Sequence, residues 1–378
     1  MTLLHFFPLK NLEVTHARNA HLHLSDGRAV LDVGGASHGA AIVGHSHPDV
    51  VAAVQSQAAQ VMHVAHLYPN PARTQFLDRL HARLPAAFDK TFLCNSGAEA
   101  VEAAVKFAAA ATGRSRFLAA ENGFHGRTLG ALSVTHKPAY REPVAGLVAD
   151  CDFVPYNDVE ALKNTISGEH AAVVLEPIQG EGGVVPATTE YLATARDLCD
   201  DVGALLILDE VQTGLCRTGP FLAAAHHGIE ADITTLGKGL AGGVPVGACV
   251  TRSDIQERLP PAFHGSTYGA SPIQCAAGAA TLQVLETENL AQRSSDEGTR
   301  FMSALSALEH PAIQEVRGVG MMANVDLKIR PGPVLQELEQ QGFLALAGGP
   351  RGIRFLPPLT TESVDLDATV DALQSALG

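Results

Sequence analysis

From about residue 48 to residue 255 the chain alternates short, mostly apolar runs with stretches of helical period, and this alternation confines it to an α/β architecture. The runs are Thr91–Cys94, Arg116–Ala119, Ala171–Leu175, Ala204–Leu208, Ile233–Leu236 and Val246–Val250. Each is too short for a helix and continuous rather than alternating, which predicts strands buried on both faces of a mostly parallel sheet. Between them, Pro48–Met62 places Val50, Val51, Val54, Ala58 and Val61 on one helical face behind a first-turn proline, and Glu99–Thr112 is a second helical run. After residue 255 the texture changes. Helical stretches Ser271–Glu286 and Glu288–Leu308 precede short strands Ile313–Val316 and Met322–Leu327, then a last helix over Thr361–Leu377. The expectation is a large domain over 48–255 and a smaller α+β domain built from 1–47 and 256–378.

With 378 residues the chain can bury a full core, and a net charge of −14 argues against nucleic acid or an anionic membrane as partner. Six cysteines (94, 151, 199, 216, 249, 275) are scattered without a CxxC pair, the usage of a reduced, cytoplasmic protein. The opening Met1–Pro8 lacks the basic and apolar regions of a signal peptide, and no apolar stretch is long enough to span a bilayer.

Two polar side chains stand just past consecutive strand candidates. Asp209 closes Ala204-Leu-Leu-Ile-Leu-Asp209, and Lys238 follows Ile233-Thr-Thr-Leu-Gly. They lie about one strand–helix–strand unit apart, so both should emerge at the same sheet edge. A lysine and a carboxylate delivered together suit pyridoxal phosphate. The amine forms a Schiff base with the cofactor aldehyde, and the carboxylate keeps the pyridine nitrogen protonated.

Other motifs gain meaning beside that pair. Asn95-Ser96-Gly97-Ala98 lies between a strand and a helix, where free N–H groups of a helix start bind a phosphate; read alone, Ser96 is an ordinary N-cap. Gly123-Phe124-His125-Gly126-Arg127 displays an aromatic ring and a guanidinium in a chain that is only 5% aromatic and lacks tryptophan. Phe124 suits a lid over a flat ring and Arg127 a clamp for a carboxylate, the alternative being a plain surface loop. His125 stands out among seventeen histidines because it adjoins that phenyl ring. Glu181, flanked by glycines after Glu176-Pro177, is either a ligand group at a strand end or a surface turn. Ser266 and Thr267 offer hydroxyls on a glycine-bounded loop that could meet a phosphate. No metal site is expected, since no histidine sits in an HExxH context or beside a cysteine partner.

Two familiar patterns are rejected. Gly237-Lys-Gly239-Leu-Ala-Gly242 matches GxGxxG, but another strand follows where a dinucleotide site needs a helix. Gly35-Ala-Ser37-His-Gly39 matches GxSxG, but Gly44 and Pro48 interrupt the helix that a hydrolase elbow requires.

Taken together, the motifs GHSHP, CNSGAEA, GFHGRT, EPIQGEGG, LDEVQTG, LGKGLAGGVP, HGSTYG and IRFLPPL resemble those of class III aminotransferases of fold type I, from about residue 8 to the C-terminus. The chain is most similar to the acetylornithine aminotransferases and their lysine-biosynthesis relatives. The resemblance implies that Lys238 carries pyridoxal 5′-phosphate, Asp209 meets its ring nitrogen and Gln212 its hydroxyl. Phe124 and Val211 would sandwich the ring. Gly97 and Ala98 would hold the phosphate from the same subunit and Thr267 from the neighbouring one, hence a homodimer with composite active sites. Arg127 would take the donor α-carboxylate, and Glu181 would neutralise Arg354 until 2-oxoglutarate arrives. The implied reaction moves the terminal amine of N-acetylornithine, or of lysine borne on a small acidic carrier protein, to 2-oxoglutarate. Lys137 and Arg141 would form a basic rim for that carrier. Other readings are an ornithine, GABA or diaminobutyrate aminotransferase, a racemase or aminomutase of the same family, and a non-enzymatic or hydrolytic α/β protein.

Overall fold

The computed structural model describes Leu4, Phe6 and residues 9–378, so most of the opening octapeptide lies outside the described residues. A seven-stranded sheet forms the centre. Its order is Lys90–Cys94, Gly247–Thr251, Ile233–Leu236, Leu205–Asp209, His170–Leu175, Arg116–Ala120 and Cys151–Val154. Strands from Ile233–Leu236 through Cys151–Val154 pair in parallel, and Gly247–Thr251 alone runs antiparallel to both neighbours. The reversal follows from chain length. Between Leu236 and Gly247 there is room for one 3-10 turn, Lys238–Ala241, but not for the crossover that a parallel return needs.

The six strands expected between residues 48 and 255 occur, shifted by at most one residue at either end; of the two expected later, Met322–Leu327 is matched and Ile313–Val316 extends to Val319. Cys151–Val154 was not anticipated. It is a half-buried edge strand whose Asp152 breaks the apolar run and pairs with Arg116 and His170. The helix Gly97–Thr112 begins on a Ser96 cap, whose hydroxyl accepts from the Glu99 N–H, and stops at left-handed Gly113. The helix from Pro48 ends at Ala58, short of the expected Met62, because Val61 and Met62 are exposed and no buried face continues. Helices Pro71–His81, Thr189–Val202 and Pro331–Gln340 complete elements that the apolar runs did not reveal.

Two four-stranded sheets lie outside the central one, besides the two-stranded pair Ile178–Gln179 and Val185–Pro186. Ile313–Val319, Met322–Leu327, Gly352–Phe355 and Leu346–Gly348 form an antiparallel sheet. Val14–Arg18, His21–Leu24 and Ala29–Asp32 form another, joined in parallel by Phe343–Leu344. Burial is deepest in the central strands, where Val173, Val174, Leu175, Leu206 and Ile207 are all 0% exposed. Each such side chain contributes about 1.5–3 kcal/mol on burial, so the strand ends that meet the site are firmly placed. Among the described residues no helix is long and apolar enough to cross a membrane.

Candidate active site

Register places the central pair. Leu205–Asp209 and Ile233–Leu236 are parallel neighbours with Asp209 opposite Thr235, so Asp209 ends one strand while Lys238 opens the turn after the next. Lys238 has φ of +45°, a left-handed backbone that costs a non-glycine residue about 1–3 kcal/mol and is tolerated where surroundings over-determine it. Burial lowers the pKa of its amine from the ordinary lysine value and Arg354 pushes the same way, against Asp209, Glu181 and Glu176. Lysine is therefore held next to three carboxylates and one guanidinium.

Asp209 is buried and meets three donors, with one acceptor position of Oδ2 left over. Its Oδ1 accepts from the Val211 N–H at 3.0 Å and the Thr235 hydroxyl at 2.9 Å. Its Oδ2 lies 2.8 Å from His125 Nδ1. Burial would lower the His125 pKa, but the bond to Asp209 wins and raises it. Behind them Glu176 accepts from the Phe124 N–H at 3.0 Å and the Gly180 N–H at 3.1 Å. Burial pushes its carboxyl up to about 7, with His125 opposing and Asp209 adding.

Glycines let four loops close on this pair. A Cβ at Gly97 would stand 2.5 Å from Val211 Cγ1, and one at Gly237 only 2.9 Å from Gly97 Cα. The lysine turn thus lies against the start of the helix Gly97–Thr112. There the Ser96 carbonyl and hydroxyl serve Ala100 and Glu99, leaving the Gly97 and Ala98 amides as the open donors of the helix start. A Cβ at Gly180 would strike Gln212 Oε1 at 2.0 Å, which seats the Glu181 turn on the segment after Asp209.

On that side Arg354 donates to Glu181 Oε1 at 2.6 Å and Gln212 Oε1 at 3.0 Å. Arg354 is 1% exposed and its Nε has no protein partner. Glu181, with a side chain 43% exposed, faces solvent on its other edge. Partial burial alone would raise its carboxyl pKa, but Arg354 holds it below the usual value.

The remaining candidates stand further out. Phe124 is half-buried; Arg127 is exposed, stacked 3.5 Å over the Tyr140 ring and 5.7 Å from the Phe124 ring centroid. Ser266 Oγ accepts from Asn95 Nδ2 at 3.2 Å and from the Gly269 N–H at 3.0 Å, while Thr267 is exposed. The structure therefore gathers Lys238, Asp209, His125, Gly97, Val211, Gln212, Glu181 and Arg354, and leaves Arg127 and Thr267 outside the buried cluster.

Glu176 and Thr235 were not singled out from the sequence, although Glu176 carries the same signal as Asp209: an acid ending a buried apolar strand at the same sheet edge. Of the rejected patterns, Gly237–Gly242 is a 3-10 turn leading to a strand, and the Ser37 hydroxyl has no hydrogen-bond partner that could serve as base. Among the described residues no group of three metal-capable side chains occurs.

The donor set fits pyridoxal phosphate: a depressed lysine amine, a buried carboxylate with one acceptor position to spare, open helix-start amides and an arginine with an unpartnered Nε. Comparison with known proteins agrees. The model for "Aminotransferase class-III" matches residues 8–377. A LysW-aminoadipate semialdehyde transaminase of Deinococcus radiodurans is 45% identical over 93% of this chain and 82% of its own. An acetylornithine aminotransferase of Methanosarcina acetivorans is 43% identical over 88% and 84%. Among solved structures, the Toxoplasma gondii ornithine aminotransferase superposes with a TM-score of 0.93 at 31% identity, covering 99% of this chain and 92% of that one. An amine transaminase from an uncultivated Pseudomonas species, in its PLP-bound form, superposes with a TM-score of 0.94 at 26% identity over 100% and 98% of the two chains. The chain belongs to the class III aminotransferase family.

Proposed function

We propose that this aminotransferase uses pyridoxal 5′-phosphate to move the terminal amino group of an α-N-blocked diamino acid to 2-oxoglutarate, in lysine or arginine biosynthesis. The donor is N-acetylornithine or lysine borne on a small acidic carrier protein. One observation carries the reading: a buried arginine, Arg354, neutralised by a half-exposed glutamate within reach of Lys238. Such a pair accepts a donor with no second carboxylate and then, once Glu181 rotates out, a dicarboxylate. A racemase or aminomutase has no need of it.

When bound, the cofactor supplies an aldehyde that condenses with amines and a ring that withdraws electrons. Lys238 would hold it covalently and, when free, its basic form would take a proton from the donor's amino-bearing carbon. Asp209, with its three donors fixed, would keep a proton at the ring nitrogen, and His125 and Glu176 support its orientation. The Gly97 and Ala98 amides would take the phosphate, Phe124 and Val211 cover the ring faces, and Gln212 meet its hydroxyl. Arg127 would orient the donor's α-carboxylate.

Thr267 would serve the neighbouring copy of a homodimer. Its exposure supports this, as do the exposed Met62, Leu67, Tyr68 and Tyr268, with His63 and Tyr268 rings 5.0 Å apart. Lys137, with its Nζ 4.8 Å from the Tyr140 ring centroid, and Arg141 beside Phe153 give the Arg127 edge a basic character that suits an acidic carrier. Six free cysteines support a reducing, cytoplasmic setting. The division into a cofactor domain over 48–255 and a smaller domain from 1–47 and 256–378 has the support that the seven-stranded sheet lies within 48–255 and both four-stranded sheets outside it.

The test is a half-reaction screen with N-acetylornithine, carrier-bound lysine and free ornithine. The expected result is loss of the aldehyde absorbance with a blocked donor, a response at least about tenfold weaker with free ornithine, and recovery on adding 2-oxoglutarate. Equal use of free ornithine, or no recovery with 2-oxoglutarate, would overturn the assignment.

A further inference from the structure

The turn that carries Glu181 is gripped from the small antiparallel sheet as well as from the strand it leaves. It joins the short strands Ile178–Gln179 and Val185–Pro186. Its far end has Gly183 at φ +106° and Val184 at φ +52°. A β-branched residue in the left-handed region is strained by about 1–3 kcal/mol and persists only where its surroundings hold it.

Those surroundings are specific. Val184 is 0% exposed and packs with Ile178, Met322 and Leu356. The Arg317 Nε–H donates to the Gly183 carbonyl at 2.8 Å, and the Gly349 N–H donates to the Glu181 carbonyl at 2.9 Å. The Arg317 guanidinium is itself oriented by Glu315 at 2.7 Å and Asp326 at 2.8 Å. Asp326 also accepts from Asn324 Nδ2 at 2.9 Å, and Asn324 lies directly across from Arg354 in the sheet. One sheet therefore presents two arginines to one turn: Arg354 holds the Glu181 side chain, and Arg317 holds the backbone two residues on.

We propose that Arg317 is a positioning residue for the Glu181–Arg354 pair. By fixing the Gly183 carbonyl it keeps the strained turn still, so the closed pair is preorganised and exchange of partners at Arg354 is a side-chain rotation. The inference rests on the exchange described under the proposed function. Without Arg317 the turn relaxes, Glu181 covers Arg354 less of the time, and the half-reaction of the α-blocked donor suffers while the dicarboxylate half-reaction does not.

The test uses Arg317→Met and the conservative Arg317→Lys. In the protein without cofactor, hydrogen exchange of residues 178–186 should quicken about tenfold in Arg317→Met and less in Arg317→Lys, with the central strands unchanged. In the loaded enzyme, kcat/KM for the donor half-reaction should fall roughly five- to tenfold relative to that for 2-oxoglutarate. A merely structural arginine would slow both halves together. Parallel losses, an unchanged ratio, or unchanged exchange in the turn would each overturn the proposal. Should Arg317→Met not fold, Arg317→Lys and Asp326→Asn read the same ratio and the same exchange. If the wild type performs neither half-reaction, the assigned function fails, while the exchange measurement still judges the grip of Arg317 on the turn.

Discussion

The two sides of the site are built on opposite plans. On one, Asp209 is 4% exposed and meets three donors, with His125 and Glu176 buried behind it. On the other, Glu181 is 43% exposed and bound through one oxygen to an arginine that keeps a free Nε. A buried carboxylate with three donors cannot turn away without leaving them unmatched in low dielectric, so its charge is a fixed part of the site. A half-exposed carboxylate can rotate into water, and the cost of baring Arg354 is offset when an incoming carboxylate takes its place. The contrast separates a charge that is held in place from one that is free to rotate.

Lys238 stands between the two sides, and removing it should have the largest effect. Lys238→Ala should lower turnover by roughly four orders of magnitude or more while the melting temperature stays within a few degrees. Near wild-type turnover would end the assignment of this lysine. Asp209→Asn comes next, with a loss of about a thousandfold in kcat and the donor and acceptor half-reactions falling together, since a fixed charge serves both. It should also lower the pKa of His125, because the raising partner is gone and burial remains. NMR titration of that ring reads the change.

Glu181→Gln should act unequally, lowering donor kcat/KM about tenfold while leaving that for 2-oxoglutarate within about twofold. Equal losses would erase the distinction between the two sides. Glu176→Gln should have the smallest kinetic effect and a clearer effect on stability. Burial raises the Glu176 carboxyl from 4.5 to about 7, so the folded state holds a proton that the unfolded chain releases. Its contribution is full below pH 4.5 and is lost as pH rises through 7, amounting to at most a few kcal/mol. Denaturation from pH 5 to 8 should therefore show a shallower decline in Glu176→Gln than in wild type. An unchanged slope would place the titration elsewhere, Glu210 at about 6 being the other buried acid in this window.

The chain order of strands and the identity of the central pair were legible because a parallel sheet writes itself as continuous apolar runs, with chemistry at their ends. Asp209 and Lys238 each end such a run. Cys151–Val154 escaped because an edge strand is only half-buried and carries Asp152. The helix from Pro48 was read too long because apolar period continues past the point where anything covers it. His125 was suspected for its neighbour Phe124, but its partner proved to be Asp209, far along the chain.

By itself the sequence determined the architecture, the lysine and the aspartate, since local pattern and strand-end position are properties of neighbours in the chain. Only the tertiary structure decided which of those groups would be locked and which left free. That depends on burial and on partners contributed by distant segments: Thr235 and His125 for Asp209, Arg354 and Arg317 for the Glu181 turn. Hydrogen-bond partnering between distant segments is a property of packing, and no single stretch of residues contains it.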